Sequence, residues 1–125
     1  MRGPVRTLAL LMALSALPGP ADAEPRQVIG YAGVLGEWEL TANVTQAATG
    51  EFSGPATMTH VGLCTQDGPE QKMGDIRLRI SSSRLNATLS LAGLECTYSA
   101  RLSDAYKGQM SCPDRPPIPL TLWVR

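Results

Sequence analysis

Residues Ile76 to Cys112 read IRLRISSSRLNATLSLAGLECTYSARLSDAYKGQMSC, four consecutive segments in which apolar and polar side chains alternate. Alternation at period two predicts half-buried β-strands. The phase also survives the turns. A Ser82-Ser83 loop sets Leu85 against Ile80, Ala87 against Leu78 and Leu89 against Ile76, so each apolar residue meets another. An Ala92-Gly93 turn then sets Leu94 opposite Leu91, Cys96 opposite Leu89, Tyr98 opposite Ala87 and Ala100 opposite Leu85. A Ser103-Asp104-Ala105 loop brings Leu102 to Tyr106, Ala100 to Gly108, Tyr98 to Met110 and Cys96 to Cys112. A one-residue slip at any turn would drive the apolar set into water. The expected element is an antiparallel meander with one buried face.

The same reading extends outward. Trp38, Leu40, Ala42 and Val44 alternate with Glu37, Glu39, Thr41 and Asn43, and a turn from Gln46 to Gly50 leads into a strand from about Phe52 to Cys64. Its inward set is Phe52, Ala56, Met58, His60 and Cys64, with a competing parity through Val61 and Leu63. Pro55 predicts an edge strand or a bulge. Gln66 to Gly74 reads as a polar loop around Asp67-Gly68-Pro69. Pro113 to Pro119, with four prolines, reads as a rigid connection to a last strand with Leu120, Leu122 and Val124 inward. Val28 to Tyr31 could supply an eighth strand. The expected fold is all-β, an antiparallel up-and-down meander of seven to eight strands forming a small barrel or a barrel-like sandwich.

Arg2 and Arg6 precede an apolar run from Thr7 to Leu17, followed by Pro18-Gly19-Pro20 and Ala21-Asp22-Ala23. This order predicts a cleavable signal peptide over residues 1–23, cut before Glu24. The run of about 11 residues falls short of the roughly 20 that span a bilayer. No cysteine follows the cut, which argues against a lipid anchor there. Residues 24–35 would be a flexible N-terminal segment or an edge strand, and 36–125 a single β domain. Removing 23 of 125 residues leaves 102, enough for one modest core.

Without Arg2, Arg6 and Asp22 the chain carries nine Lys or Arg against ten Asp or Glu, and it has no basic run. The balance gives no case for nucleic acid or an anionic membrane as partner. Arg heavily outnumbers Lys and only two asparagines occur, Asn43 and Asn86. This bias favours a GC-rich bacterial source, and hence the periplasm over the extracellular space.

Three cysteines in an exported chain invite a disulfide. The derived register makes Cys96 and Cys112 cross-strand neighbours, close enough to bridge. Alternating strand direction brings Cys64 to the same rim, so it remains an alternative partner for either, and one thiol is left over. His60 is the only histidine, which rules out a multi-histidine metal site within the chain. If it points inward, His60 with Cys64, Cys96 and Cys112 would match tetrahedral zinc chemistry, although short Cys-x-x-Cys pairs are missing and oxidation competes for the thiols. Glu37 and Glu39 lie on the solvent side, outside any recess that could separate two carboxylate pKa values. Arg77, Arg79, Arg84 and Arg101 project from the outer face as a possible basic stripe, or as a charged face that discourages sheet stacking.

Leu35-Gly36-Glu37-Trp38-Glu39-Leu40 resembles the Gly-x-Trp that opens lipocalin and calycin barrels, and is similar to the Leu-x-Gly-x-Trp-x-Leu of the small periplasmic barrels that inhibit bacterial metalloproteases. The resemblance covers about six residues and implies a barrel whose Trp38 packs across one closed end. The inhibitors carry a cysteine soon after the tryptophan, which this chain lacks, and lipocalins are longer.

Three functional expectations follow. The first is a non-enzymatic, periplasmic binding or interaction protein of the cell envelope, without cofactor, whose Trp38, Met58, Tyr98 and Met110 either line a site for a small apolar ligand or fill the core, and whose rim could meet an envelope protein. The second is a protease inhibitor acting through residues 24–35. The third is a thiol or zinc site at Cys64, Cys96, Cys112 and His60, for which no general base is positioned by a motif.

Overall fold

The computed structural model describes residues 25–61 and 68–125. The expected signal peptide and Cys64 lie outside the described residues. Eight strands follow in chain order: β1 (Arg26–Ala32), β2 (Trp38–Ala48), β3 (Glu51–His60), β4 (Gln71–Ser81), β5 (Arg84–Leu91), β6 (Leu94–Leu102), β7 (Tyr106–Ser111) and β8 (Ile118–Val124). Each pairs antiparallel with the next, and β8 returns to β1 to close an up-and-down barrel.

From β4 to β7 the register is the one that alternation dictates. Ile80 faces Leu85, Leu89 faces Cys96, Tyr98 faces Met110 and Leu102 faces Tyr106. Inward positions carry Leu40, Ile76, Leu85, Leu89, Leu120, Leu122, Val28 and Val44, all fully buried. Each contributes on the order of 2 kcal/mol by leaving water. Among the described residues no polar or charged residue is buried. Apolar inside and charged outside is the reverse of a barrel that spans lipid.

Three expectations need correction. The N-terminal segment holds the eighth strand that Val28 to Tyr31 could supply and is not an edge, because β1 pairs with β2 on one side and β8 on the other, so the barrel starts at Arg26 rather than 36. Val28 and Ala32 supply fully buried contacts that a ragged end could not. The loop expected up to Gly74 is shorter, since β4 begins at Gln71 and pairs Gln71 and Met73 with Thr59 and Thr57. Finally, Pro55 sits on a strand with neighbours on both sides. The β2–β3 ladder pairs Ala42 with Ala56 and resumes at Thr45 with Ser53, so the proline, which has no N–H to donate, falls in a gap of that ladder. Gly54 beside it lies so close to the Asn43 carbonyl that a Cβ would collide with backbone.

Candidate functional site

Three places collect chemistry: the interior, the rim around Trp38, and the outer wall. In the interior Met58, Tyr98 and Met110 are buried and packed into the apolar cluster with Phe52 and Tyr106. Tyr98 carries the one interior hydroxyl with an anchored role among the described residues. Its oxygen lies 2.9 Å from the Tyr106 carbonyl and 2.7 Å from that of Leu120, so its single proton is shared between the backbones of β7 and β8. Burial pushes this phenol well above its ordinary range and keeps it neutral. The three side chains behave as core.

At the rim Trp38 is half-buried, in register with Ala32 and His60. Its ring meets that of His60 edge-on at 4.4 Å, and the Lys72 ammonium lies 5.2 Å from the Trp38 centroid. His60 follows the inward parity of β3, and its buried Nδ1 has no hydrogen-bond partner. Cys96 and Cys112 form a disulfide, with Cα atoms 4.3 Å apart. Two of the four donors expected for zinc are thereby bonded to each other, so the closed disulfide removes that site. Among the described residues no group of three or more His, Cys, Asp or Glu gathers for a metal.

The outer wall divides into two faces. On β8 and β1 the outward residues are Pro119, Thr121 and Trp123 beside Gln27, Ile29 and Tyr31, none of them charged. The Tyr31 and Trp123 rings meet edge-on at 6.1 Å. This strip runs into the turn after β1, where Val34 and Leu35 are 82% and 89% exposed. The turn is braced at several points. Gly33 N–H donates to the Pro119 carbonyl at 2.9 Å, Gly36 N–H to the Gly33 carbonyl at 3.1 Å, and Leu35 N–H to Glu37 Oε2 at 3.0 Å. Gly33 and Gly36 hold φ of 99° and 66°, in the left-handed region that favours glycine.

Across β3 to β7 the outer wall carries a groove of about 700 Å³ whose polar rows follow the strand register. One row is Ser53, Arg77, Thr88, Thr97 and Ser111. The next is Glu51, Arg79, Asn86, Ser99 and Gln109, with Arg79 bonded to Glu51 at 2.9 Å. A second hollow of about 380 Å³ shares Ser53, Arg77 and Thr88 and extends to Asp75 and Ser90.

Sequence reasoning brought the Cys96–Cys112 pair together and placed the arginines of β4 to β6 outward. It held Tyr31, Val34 and Leu35 only as part of the segment 24–35 expected to enter a protease cleft, and passed over Trp123. Two aliphatics between Gly33 and Gly36, and a tryptophan on the outward parity of the last strand, were the signals available for them. Compared with known protein families, curated proteins and solved structures, the chain matches none.

Proposed function

We propose that this chain is a non-enzymatic, exported interaction protein of the bacterial envelope that engages a protein partner through its uncharged β8–β1 strip and the 33–36 turn. The observation that carries the reading is the braced exposure of Val34 and Leu35, at 82% and 89%. Leaving two large aliphatic side chains in water has no folding benefit, and holding them on a rigid turn lowers the entropy lost when a partner covers them. The adjoining Ile29, Tyr31 and Trp123 extend the patch, and the absence of charge at the outward positions of both strands fits an apolar partner surface.

Other features support parts of this reading. The Cys96–Cys112 disulfide suits an oxidising compartment, in line with the export signal expected over residues 1–23. Fully buried Leu40, Leu85, Leu89, Leu120 and Leu122 favour a filled barrel over a lumen for a small apolar ligand. A closed eight-stranded antiparallel barrel supports kinship of architecture with lipocalin-like and inhibitor barrels, although Gly36-Glu37-Trp38 leads into the second strand and not the first, and architecture carries no activity by itself. Were the partner a protease, the 33–36 turn and not residues 26–32 would enter its cleft, because the latter are held in the sheet.

The test places a photo-crosslinking residue at position 35 and, as reference, at position 86 on the opposite wall. One envelope protein joined from position 35, absent from position 86 and lost in a folded Ile29→Asp/Trp123→Asp variant, is the expected result. Identical products from both positions, or a self-product matched by a dimer in sedimentation, would end the proposal.

A further inference from the structure

The wall from β5 to β7, which borders the uncharged strip where Lys107 pairs with Thr121, carries an arrangement that folding alone does not favour. Arg84, Arg101 and Lys107 lie in direct cross-strand register on β5, β6 and β7. Directly opposed residues have Cβ atoms about 5 Å apart, and like charges at that spacing destabilise a sheet. The positions that flank the row are Ser81 on β4 and Thr121 on β8, so no carboxylate completes it. Arg84 leans across to the neighbouring row, its Nη1 donating to Ser99 Oγ at 3.4 Å. That row and the next line the groove with Asn86, Ser99, Gln109, Thr88, Thr97 and Ser111, and add Arg79 and Arg77. The acidic positions Asp75 and Glu95 sit together beyond them, in register through Ser90. The face is therefore graded, basic at one end and acidic at the other, with short hydroxyls and amides between.

We propose that this groove and the cationic row along its edge together bind an acidic polysaccharide, its charged groups on Arg84, Arg101 and Lys107 beside the groove and its sugar hydroxyls on the polar rows that line it. Arginine forks hold carboxylate or sulfate oxygens two at a time. Hydroxyl and amide side chains can donate or accept, so they exchange hydrogen bonds with sugar hydroxyls in several equivalent alignments. The outward positions of both rows are Arg, Ser, Thr, Asn, Gln and Glu51, with none of the aromatic or aliphatic anchors on which protein hot spots and stacked single-stranded bases depend. A groove of about 700 Å³ offers room for several sugar units. The cations repel one another while the site is empty, and a bound polyanion relieves that repulsion.

The experiment measures binding of the oxidised protein to immobilised polygalacturonate, dextran sulfate and neutral dextran of matched length, with duplex DNA as a fourth arm. Binding to one or both acidic polymers that weakens with salt, with neutral dextran left unbound, is expected. Polygalacturonate alone points to carboxylate as the charged group, dextran sulfate alone to sulfate. An Arg84→Ser/Arg101→Ser variant should lose roughly tenfold in affinity or more, the equivalent of one charge-assisted hydrogen bond. A Lys72→Ser/Arg115→Ser variant removes the same net charge elsewhere and should bind as the parent does. Melting of the Arg84→Ser/Arg101→Ser protein reports on folding independently, and a melting point equal to or above the parent's is expected because a repulsion is gone. Equal losses in the two variants, no binding to either acidic polymer, or tighter binding to DNA than to both would overturn the assignment.

Discussion

The barrel has two walls that differ in how they are specified and in what they show to water. β4 to β7 are joined by turns of two or three residues, and their outer face is charged and hydroxyl-rich. β8 and β1 meet only when the barrel closes, and their outer face has no charge. Hairpins fix their own register, because a slip at the turn flips every side chain to the wrong side. A closing seam has no turn to help it, so its specificity comes from packing and from backbone approach. Close backbone approach also occurs within the hairpins, where a Cβ on Gly74 would collide with the Ser90 carbonyl and one on Gly108 with the Ser99 carbonyl, so what separates the two walls is the turns and not the packing.

The sharpest way to break that comparison is a pair of glycine substitutions. Where two strands approach closely, Gly54→Ala would drive a methyl group into the Asn43 carbonyl, a backbone atom that cannot swing aside. The cost should reach about 3 kcal/mol or beyond, enough to leave little folded protein. In a turn, Gly93 at φ 81° has open space where a methyl group would go, so Gly93→Ala should cost roughly 1 kcal/mol from backbone strain alone. Urea midpoints of both variants check this, and equal losses would mean that close strand approach specifies the barrel no more strongly than its turns do.

Next in size is the staple within the hairpin half. Cys96 and Cys112 enclose a loop with a sequence separation of 16, for which removal of a disulfide costs about 3 kcal/mol. A Cys96→Ala/Cys112→Ala variant should melt roughly 15 °C lower and still fold, since the turns around Ala92 and Ser103 continue to set the register. Loss of the β-sheet circular dichroism at room temperature would show instead that the hairpins need the bridge.

These differences also explain what could be read in advance. The pairing of Ile80 with Leu85, Leu89 with Cys96 and Tyr98 with Met110 follows from alternation plus short turns, and with it came the disulfide. The pairing of Val28 with Val124 and of Ala32 with Leu120 depends on closure of the whole barrel, which no local pattern encodes. Hence 24–35 read as a flexible segment or an edge strand, with Val28 to Tyr31 only a possible eighth strand, although Arg26–Ala32 is paired on both sides. Pro55 was a true signal with two outcomes: it marks an interrupted ladder, and only the tertiary structure tells that from an edge. Of the candidate site, the outward arginines were legible from parity. Their alignment with Lys107 was implicit in the derived register, and the brace that exposes Val34 and Leu35 depends on Glu37 and Pro119 meeting the turn in space.

Tyr98 ties the two walls together, and its removal is worth less. The phenol on β6 bonds to the backbones of β7 and β8, so Tyr98→Phe should cost about 1 kcal/mol, read as a lower urea midpoint at neutral pH. The pH dependence has a definite sign. Burial raises the folded phenol above its unfolded value of about 10, so its contribution is complete below about pH 10. Above that, unfolded chains ionise first and stability falls as pH rises. The phenylalanine variant should lose stability less steeply over the same alkaline range, and parallel curves would show that Tyr98 is not the group responsible.

The smallest effect on stability comes from the ion pair at the edge of the charged groove. Arg79 and Glu51 are both substantially exposed, and exposed pairs contribute between about 0 and 1 kcal/mol. Glu51→Gln should therefore move the melting point by no more than a few degrees. It also releases Arg79, in register with Asn86 and Ser99, and removes a carboxylate that borders the groove. Binding of dextran sulfate or polygalacturonate should tighten while stability stays put. If affinity falls instead, Glu51 serves the ligand by holding Arg79 in place, and the charged wall depends on an internal brace as the 33–36 turn depends on Glu37.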